Sequence, residues 1–168
     1  MNSLNLNSSP DEPYNSFMMN SFYKANYYSQ YTGMITLSDD SGLEVDCLDN
    51  QPGVYSARYG GADLSDKERN DFLISNLPVD EINPKAKFKC VITLYLKNRW
   101  VMFFEGSFRG NISRIQKGTQ GHGYDPIFYV PEISKTFGEL DISAKNLISH
   151  RAKALNKLSK FIDDNFNL

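Results

Sequence analysis

The most regular stretch of the chain lies between Ala86 and Leu96. Ala86, Phe88, Cys90, Ile92, Leu94 and Leu96 recur at every second position, with Lys87, Lys89, Thr93 and Tyr95 between them. That is the period of a half-buried strand. Trp100 to Phe104 is apolar at every position and predicts a strand covered on both faces, joined to the first through Lys97-Asn98-Arg99 as a long hairpin. Gly106 and Gly110 mark expected bulges in its continuation. Upstream, the apolar run Met34 to Leu37 and the alternating Leu43-Glu44-Val45-Asp46 flank Asp39-Asp40-Ser41-Gly42. That tetrad reads as a strand end where Gly42 lets the chain turn. Neighbouring strand residues point to opposite faces, so Asp39 and Asp40 are expected to do different jobs.

Helical spacing predicts further elements. Phe17, Met18, Phe22, Ala25 and Tyr28 place a helix from about Asn15, its expected cap, to Ser29, with Gly33 in the closing position. Ser65-Asp66-Lys67-Glu68 is a capping box that opens a helix running to about Asn76, and Pro78 ends it. Ser143 is expected to cap a short helix. A last helix from about Ser149 carries Leu155, Leu158, Ile162 and Phe166 on one stripe. Met1 to Pro13 is rich in Asn, Ser and Pro. The division expected is a flexible lead-in over residues 1–14 and a single domain over 15–168.

Composition narrows the function classes. The chain has 168 residues, of which 40% are hydrophobic and 13% aromatic, enough to pack one core. A net charge of -2 leaves no basic footprint, so nucleic acid is not an expected partner. No apolar run reaches membrane-spanning length and the polar start has no signal-peptide core, so no membrane association is expected. Cys47 and Cys90 sit in apolar strand patterns without metal-type spacing. They read as free thiols of a reducing compartment, and a cytoplasmic location is expected.

Three stretches carry candidate chemistry besides the two aspartates. Gly118, Gly121 and Gly123 allow backbone amides to approach a ligand, and His122 and Tyr124 offer flat faces to a base; a mobile surface loop is the alternative. His150 and Arg151 place cations at a helix start, where the dipole favours acids, and so point to a polar or anionic ligand nearby. Arg58, between aromatics, reads as a structural stacker or an anion contact.

Four motifs taken in order resemble one family from about Phe17 to the C-terminus. They are Asp39-Asp40-Ser41-Gly42, Pro52-Gly53-Val54-Tyr55-Ser56-Ala57-Arg58-Tyr59, Gly121-His122-Gly123-Tyr124-Asp125-Pro126-Ile127-Phe128 and Ile148-Ser149-His150-Arg151. The chain is similar to the non-canonical purine nucleoside triphosphate pyrophosphatases, the house-cleaning inosine/xanthosine triphosphatases. The resemblance implies an α/β fold with a mixed twisted sheet flanked by helices, two lobes with a central cleft, and a homodimer. It implies Mg²⁺-dependent hydrolysis of ITP, dITP and XTP to the monophosphate and pyrophosphate. Carried over by position, Asp40 is the catalytic acid that binds metal or activates water, and Ser41 touches substrate. His122, Gly123, Tyr124, Asp125, Lys145, His150 and Arg151 form the base and sugar pocket. Lys145 and Arg151 are obligate donors, which suits a 6-keto purine and leaves the amino group of adenine unsatisfied. Each such unpaired group costs about 1–3 kcal/mol.

The resemblance also marks what this sequence lacks. The family opens with a strand and a Ser/Thr-x-Asn-x-x-Lys phosphate loop, with no counterpart in Met1 to Asn15. Its Phe-x-Glu-Asn-Ala pattern stands here as Phe17-Met18-Met19-Asn20-Ser21, and His122 replaces a stacking Phe. A sheet without its N-terminal strand and most of the phosphate grip is therefore expected, with an open edge. Lys24, Arg58, Lys85 and Lys117 are candidate replacements, each weighed against a plain solvated charge. Alternative readings are an inactive purine-nucleotide-binding remnant or pseudoenzyme subunit, and a fragment of a split or mis-started gene.

Overall fold

The hairpin that the alternation predicts is the spine of the molecule. In the computed structural model, which describes residues 10–97 and 99–166, β2 (Lys85–Leu96) pairs with β3 (Trp100–Ile112) in unbroken antiparallel register, from Lys85 opposite Asn111 to Leu96 opposite Trp100. Residues 1–9 of the expected lead-in and Asn98 of the hairpin turn lie outside the described residues. β1 (Thr36–Val45) pairs with β2, while β4 (Phe128–Val130) and β5 (Lys135–Thr136) extend the sheet from the far end of β3. The class is α/β as expected. In place of a mixed sheet, the four described pairings are all antiparallel, as the tight β2–β3 connection requires of those two strands.

Helices cover both faces. α1 (Phe17–Thr32) lies on one and α4 (His150–Phe166) on the other, while α2 (Asp66–Asn76) sends Leu73 into the core and α3 (Ile142–Ile148) lies against α4. This accounts for the doubly apolar run at Trp100–Phe104. Phe103 meets Phe22 of α1 at 6.5 Å between ring centroids, whereas Trp100 and Phe104 meet Phe161 of α4 at 6.1 and 5.4 Å. The core has three parts. Leu43, Val45, Phe88, Phe128 and Phe137 fill the broad end, Cys90, Ile92, Ala154 and Leu158 lie under α4, and Phe17, Val54 and Val91 lie under α1.

Several local expectations are corrected. Ser16, not Asn15, caps α1, which runs on to Thr32 before Gly33 closes it at φ 66°. Asp141, not Ser143, caps α3, accepting from the Ala144 amide at 2.8 Å. On α4 the buried stripe is Ala154 and Leu158 with Phe161 and Ile162 packed beside them, while Leu155 and Phe166 are exposed. The lead-in is fixed from Pro10 onward, where the Tyr14 amide donates to Asn20 Oδ1 at 2.9 Å. The Asp-Asp-Ser-Gly tetrad does not turn; it lies inside β1.

The glycines of the sheet are there for contact. The β2–β3 register contains no bulge at Gly106 or Gly110. A Cβ on Gly42 would strike the Gly53 carbonyl and the Ser56 hydroxyl, and one on Gly106 would strike the His150 carbonyl and the Ala154 amide. Gly106 thus lets α4 lie directly on β3. Gly106→Ala should lift the start of α4 and lower unfolding stability by about 1–3 kcal/mol, the usual cost of overpacking. Urea midpoints of the two proteins check this; an unchanged midpoint would contradict the close approach.

Candidate functional site

β1 presents different chemistry on its two faces because its residues alternate. Leu43 and Val45 enter the core on the side where Asp39 and Ser41 meet Arg151 of α4. Ser38, Asp40 and Gly42 face α1. The expectation that Asp39 and Asp40 serve different partners is what the pleat produces.

On the α4 side a cleft of about 790 Å³ opens between β1, the 121–125 loop and the facing parts of α3 and α4. Ser41, His122, Gly123, Tyr124, Asp125, Lys145, His150 and Arg151 all line it. The fold thus gathers every residue expected in the base and sugar pocket. Arg151 donates from Nη2 to Asp39 Oδ2 at 2.9 Å and to Ser41 Oγ at 3.0 Å. Ser41 is therefore an anchor for that guanidinium. Lys145 is ion-paired with the buried Asp125, whose Oδ2 also accepts from the His122 amide at 2.9 Å. His150 stacks on Phe88 at 4.8 Å with 16° between planes, and its buried Nδ1 has no partner among the described residues. Burial first, then the charges of Arg151 and Lys145, pushes its pKa down to about 3, so the ring is neutral at pH 7.

The glycine loop works differently from the sequence expectation. Gly121 and Gly118 are needed because a Cβ would strike the Asp125 carboxylate or the Gly138 carbonyl. The Gly123 amide is spent on Asp66 Oδ2 at 2.6 Å, and its carbonyl accepts from Asn70 at 3.1 Å. Tyr124 is buried, with its hydroxyl donating to the Ser56 carbonyl at 2.9 Å, so it forms wall and offers no open aromatic face. His122 is the exposed ring of the loop.

Asp40 lies on the opposite face, away from that cleft. Its carboxylate, 7% exposed, accepts from Asn20 Nδ2 at 3.3 Å and Lys24 Nζ at 3.1 Å. Lys24 Nζ also meets Glu12 at 2.5 Å, and Glu12 in turn faces Arg58 at 3.7 Å. Burial raises the Asp40 pKa to about 6 against the opposing charge of Lys24. For Lys24, burial pulls downward but the bonds to Glu12 and Asp40 outweigh it, and its pKa is raised. Both shifts say that the cluster holds protons more tightly than its separate members would. Arg58 combines both readings offered for it, since it also stacks over Tyr55 at 5.0 Å.

Sequence reasoning missed Glu12, placed in the lead-in, and undervalued Lys24, whose side chain is only 15% exposed. A signal was present, because Asn20 and Lys24 are four apart and share one face of a helix. Lys85 and Lys117 remain exposed and away from the cluster. Among the described residues no group of three or more His, Cys, Asp or Glu converges as a metal site, and no helix is long and apolar enough to cross a membrane. A second groove of about 890 Å³ beside the start of α1 is lined by Glu44, Arg58, Lys89 and Glu105, of which Arg58 alone was a candidate for the phosphate grip. Cys90 is fully buried behind Asp39, 3.9 Å from its carboxylate, and burial first, then that charge, pushes its thiol up to about 12.

A Ham1 family model matches residues 1–161. The dITP/XTP pyrophosphatase of Desulforamulus reducens is 46% identical over 154 residues, covering 91% of this chain and 77% of that protein. The dITP/XTP pyrophosphatase of Thermus thermophilus is 43% identical over 156 residues, covering 92% and 75%. Among solved structures, a HAM1 protein from Coxiella burnetii superposes with a TM-score of 0.89 at 38% identity over 94% of this chain and 81% of that one. The Ham1 protein of Staphylococcus aureus gives 0.87 at 36% over 92% and 80%.

The neutral His150 carries a pH signature. The unfolded chain takes a proton on it near pH 6.5 and the folded chain refuses it until about 3, so folding stability falls on acidification through that window. Asp40 has the opposite sign: its contribution is full below its unfolded value of 3.8 and is lost as pH rises through about 6. His150→Phe keeps the stack on Phe88 and removes only the first effect. Between pH 7 and pH 5 the variant should gain roughly 1–2 kcal/mol relative to the unaltered chain, read from urea unfolding at both values. A pH-independent difference would show that His150 is not held neutral.

Proposed function

We propose, from the fact that the chain belongs to the Ham1 family, that it hydrolyses non-canonical purine nucleoside triphosphates, ITP, dITP and XTP, to the monophosphate and pyrophosphate. The observation that carries the reading is the pairing of a donor-rich cleft with a carboxylate and ammonium cluster on either face of one edge strand. Among the described residues β1 has a strand neighbour, β2, on one side only, its other side meeting just Gln51 and Pro52 at one end, so a single extended ligand could reach round it to both. The base would lie in the cleft against His122 and His150, with Arg151 and Lys145 donating to the 6-keto oxygen and Asp125 holding Lys145 in place. The triphosphate would lie toward Lys24 and Arg58.

Asp40 is the catalytic carboxylate of this reading. Ionised above about pH 6, it accepts the proton of the water that attacks the α-phosphorus; the α–β bridging bond breaks, and pyrophosphate leaves with its electron pair. Glu12 and Asp40 fit Mg²⁺, because two carboxylates already converge on a cation, the Lys24 ammonium, and Mg²⁺ needs one or two carboxylates with phosphate oxygens and water for the rest. When bound, it supplies positive charge to the triphosphate oxygens. A homodimer and a cytoplasmic location belong to the same proposal.

A second reading, purine-nucleotide binding without turnover, is favoured by one fact: Asp40 turns away from the cleft and is engaged by Asn20 and Lys24. Pyrophosphate release with Mg²⁺ separates the two. Release from ITP, dITP and XTP should exceed release from ATP at least about tenfold, stop on chelation of the metal, and fall about a hundredfold or more in Asp40→Asn and markedly in Lys24→Met. Nucleotide binding with no turnover would establish the second reading, and full activity in Asp40→Asn would remove Asp40 from the mechanism.

A further inference from the structure

We infer that Asp39 is a positioning residue for purine selectivity, acting by aiming the Arg151 guanidinium across the cleft; the inference rests on the reading of that cleft as a base site. Asp39 does not line the cleft. It stands behind Arg151, where a single oxygen, Oδ2, accepts from Nε at 3.3 Å and from Nη2 at 2.9 Å, and Ser41 Oγ accepts the other Nη2 proton at 3.0 Å. Guanidinium is a rigid planar fork of five N–H donors, so fixing three of them fixes the direction of the remaining two. Those two are on Nη1, which takes no part in the bonds to Asp39 and Ser41.

Both acceptors come from one strand at positions i and i+2, and that strand is itself held in register, with Asp39 opposite Ile92 and Ser41 opposite Cys90. The platform is therefore rigid where Arg151 is not, since its side chain is 45% exposed and would otherwise sample many rotamers. Asp40 cannot substitute, because the pleat turns it to α1. Nor is the pair needed to hold α4 on the sheet: Ala154 and Leu158 are buried there, whereas an ion pair this exposed adds little to stability. What the bonds supply is orientation. Two N–H groups held toward the purine favour a keto oxygen and oppose the amino group of adenine, and a guanidinium released from Asp39 loses that distinction.

The test is a double-mutant cycle in the full 168-residue chain with Mg²⁺. kcat and KM for ITP and ATP are measured in Asp39→Ala, Asp39→Asn, Arg151→Ala and the Asp39→Ala/Arg151→Ala double variant, with IMP affinity by calorimetry and Tm for each. Asp39→Ala should lower kcat/KM for ITP about tenfold or more, chiefly through KM, and for ATP less than about threefold, with Tm little changed. Asp39→Asn, whose amide oxygen still accepts, should recover part of the loss. The double variant should be no worse than Arg151→Ala alone, because two residues acting through one contact are not additive. Additive losses, or an equal fall for both nucleotides, would overturn the inference. Absence of ITP turnover in the unaltered chain would overturn the pyrophosphatase reading instead, and IMP affinity would then decide the same cycle; absence of IMP binding as well would overturn both.

Discussion

Successive residues of a strand point to opposite sides of its sheet, and in β1 that rule separates two carboxylates adjacent in the chain. Asp39 is delivered to Arg151 on α4 and Asp40 to Asn20 and Lys24 on α1. Each helix thereby brings a cation to the same strand from its own side. The cleft and the charged cluster are consequences of that separation: a register slip of one residue would exchange the two aspartates and push Leu43 and Val45 out of the core.

The polar links across β1 do not hold the helices in place. A half-exposed pair such as Arg151 with Asp39 is worth about 0.2–1 kcal/mol, and burying Asp40 beside Lys24 carries a desolvation cost that its raised pKa records. Each buried Leu or Phe side chain contributes about 1.5–3 kcal/mol. Leu158 under α4 and Phe17 under α1 are among these. Apolar contact therefore decides that the helices lie on the sheet, and polar contact decides how functional groups point once they do. The same division explains the glycines, since Gly42 and Gly106 let main chain approach main chain at the places where the site residues are anchored.

How far the sequence could be read follows from this division. The β2–β3 hairpin was legible because alternation is a local property, and the α2 capping box was legible because it is spelled in four consecutive residues. Of the eight residues expected at the cleft, seven lie in the ordered motifs and Lys145 came with the family resemblance, and the fold does gather them. The glycines misled, because a residue chosen for absence of a side chain looks the same whether the chain turns, bulges or is pressed by a neighbour; Gly42 and Gly106 are of the last kind. Glu12 was invisible for another reason. Its significance lies in contacts with Lys24, twelve residues away, and Arg58, forty-six away, and nothing in the sequence around it signals either. Lys24 looked like surface charge because no local pattern says that the strand opposite presents a carboxylate.

The burial of Cys90 has a practical consequence for following this molecule. Its thiol is fully shielded and held far above neutral pKa, so it stays unreactive while the sheet is intact. Cys47, just past the end of β1, is only half-buried, although burial raises its pKa as well. A thiol-directed fluorophore applied in mildly alkaline buffer would therefore mark Cys47 alone, giving one reporter per chain without touching the residues behind Arg151. Appearance of a second labelled site would signal that the sheet had opened, so the pair of cysteines amounts to an internal gauge of integrity that needs no engineered residue.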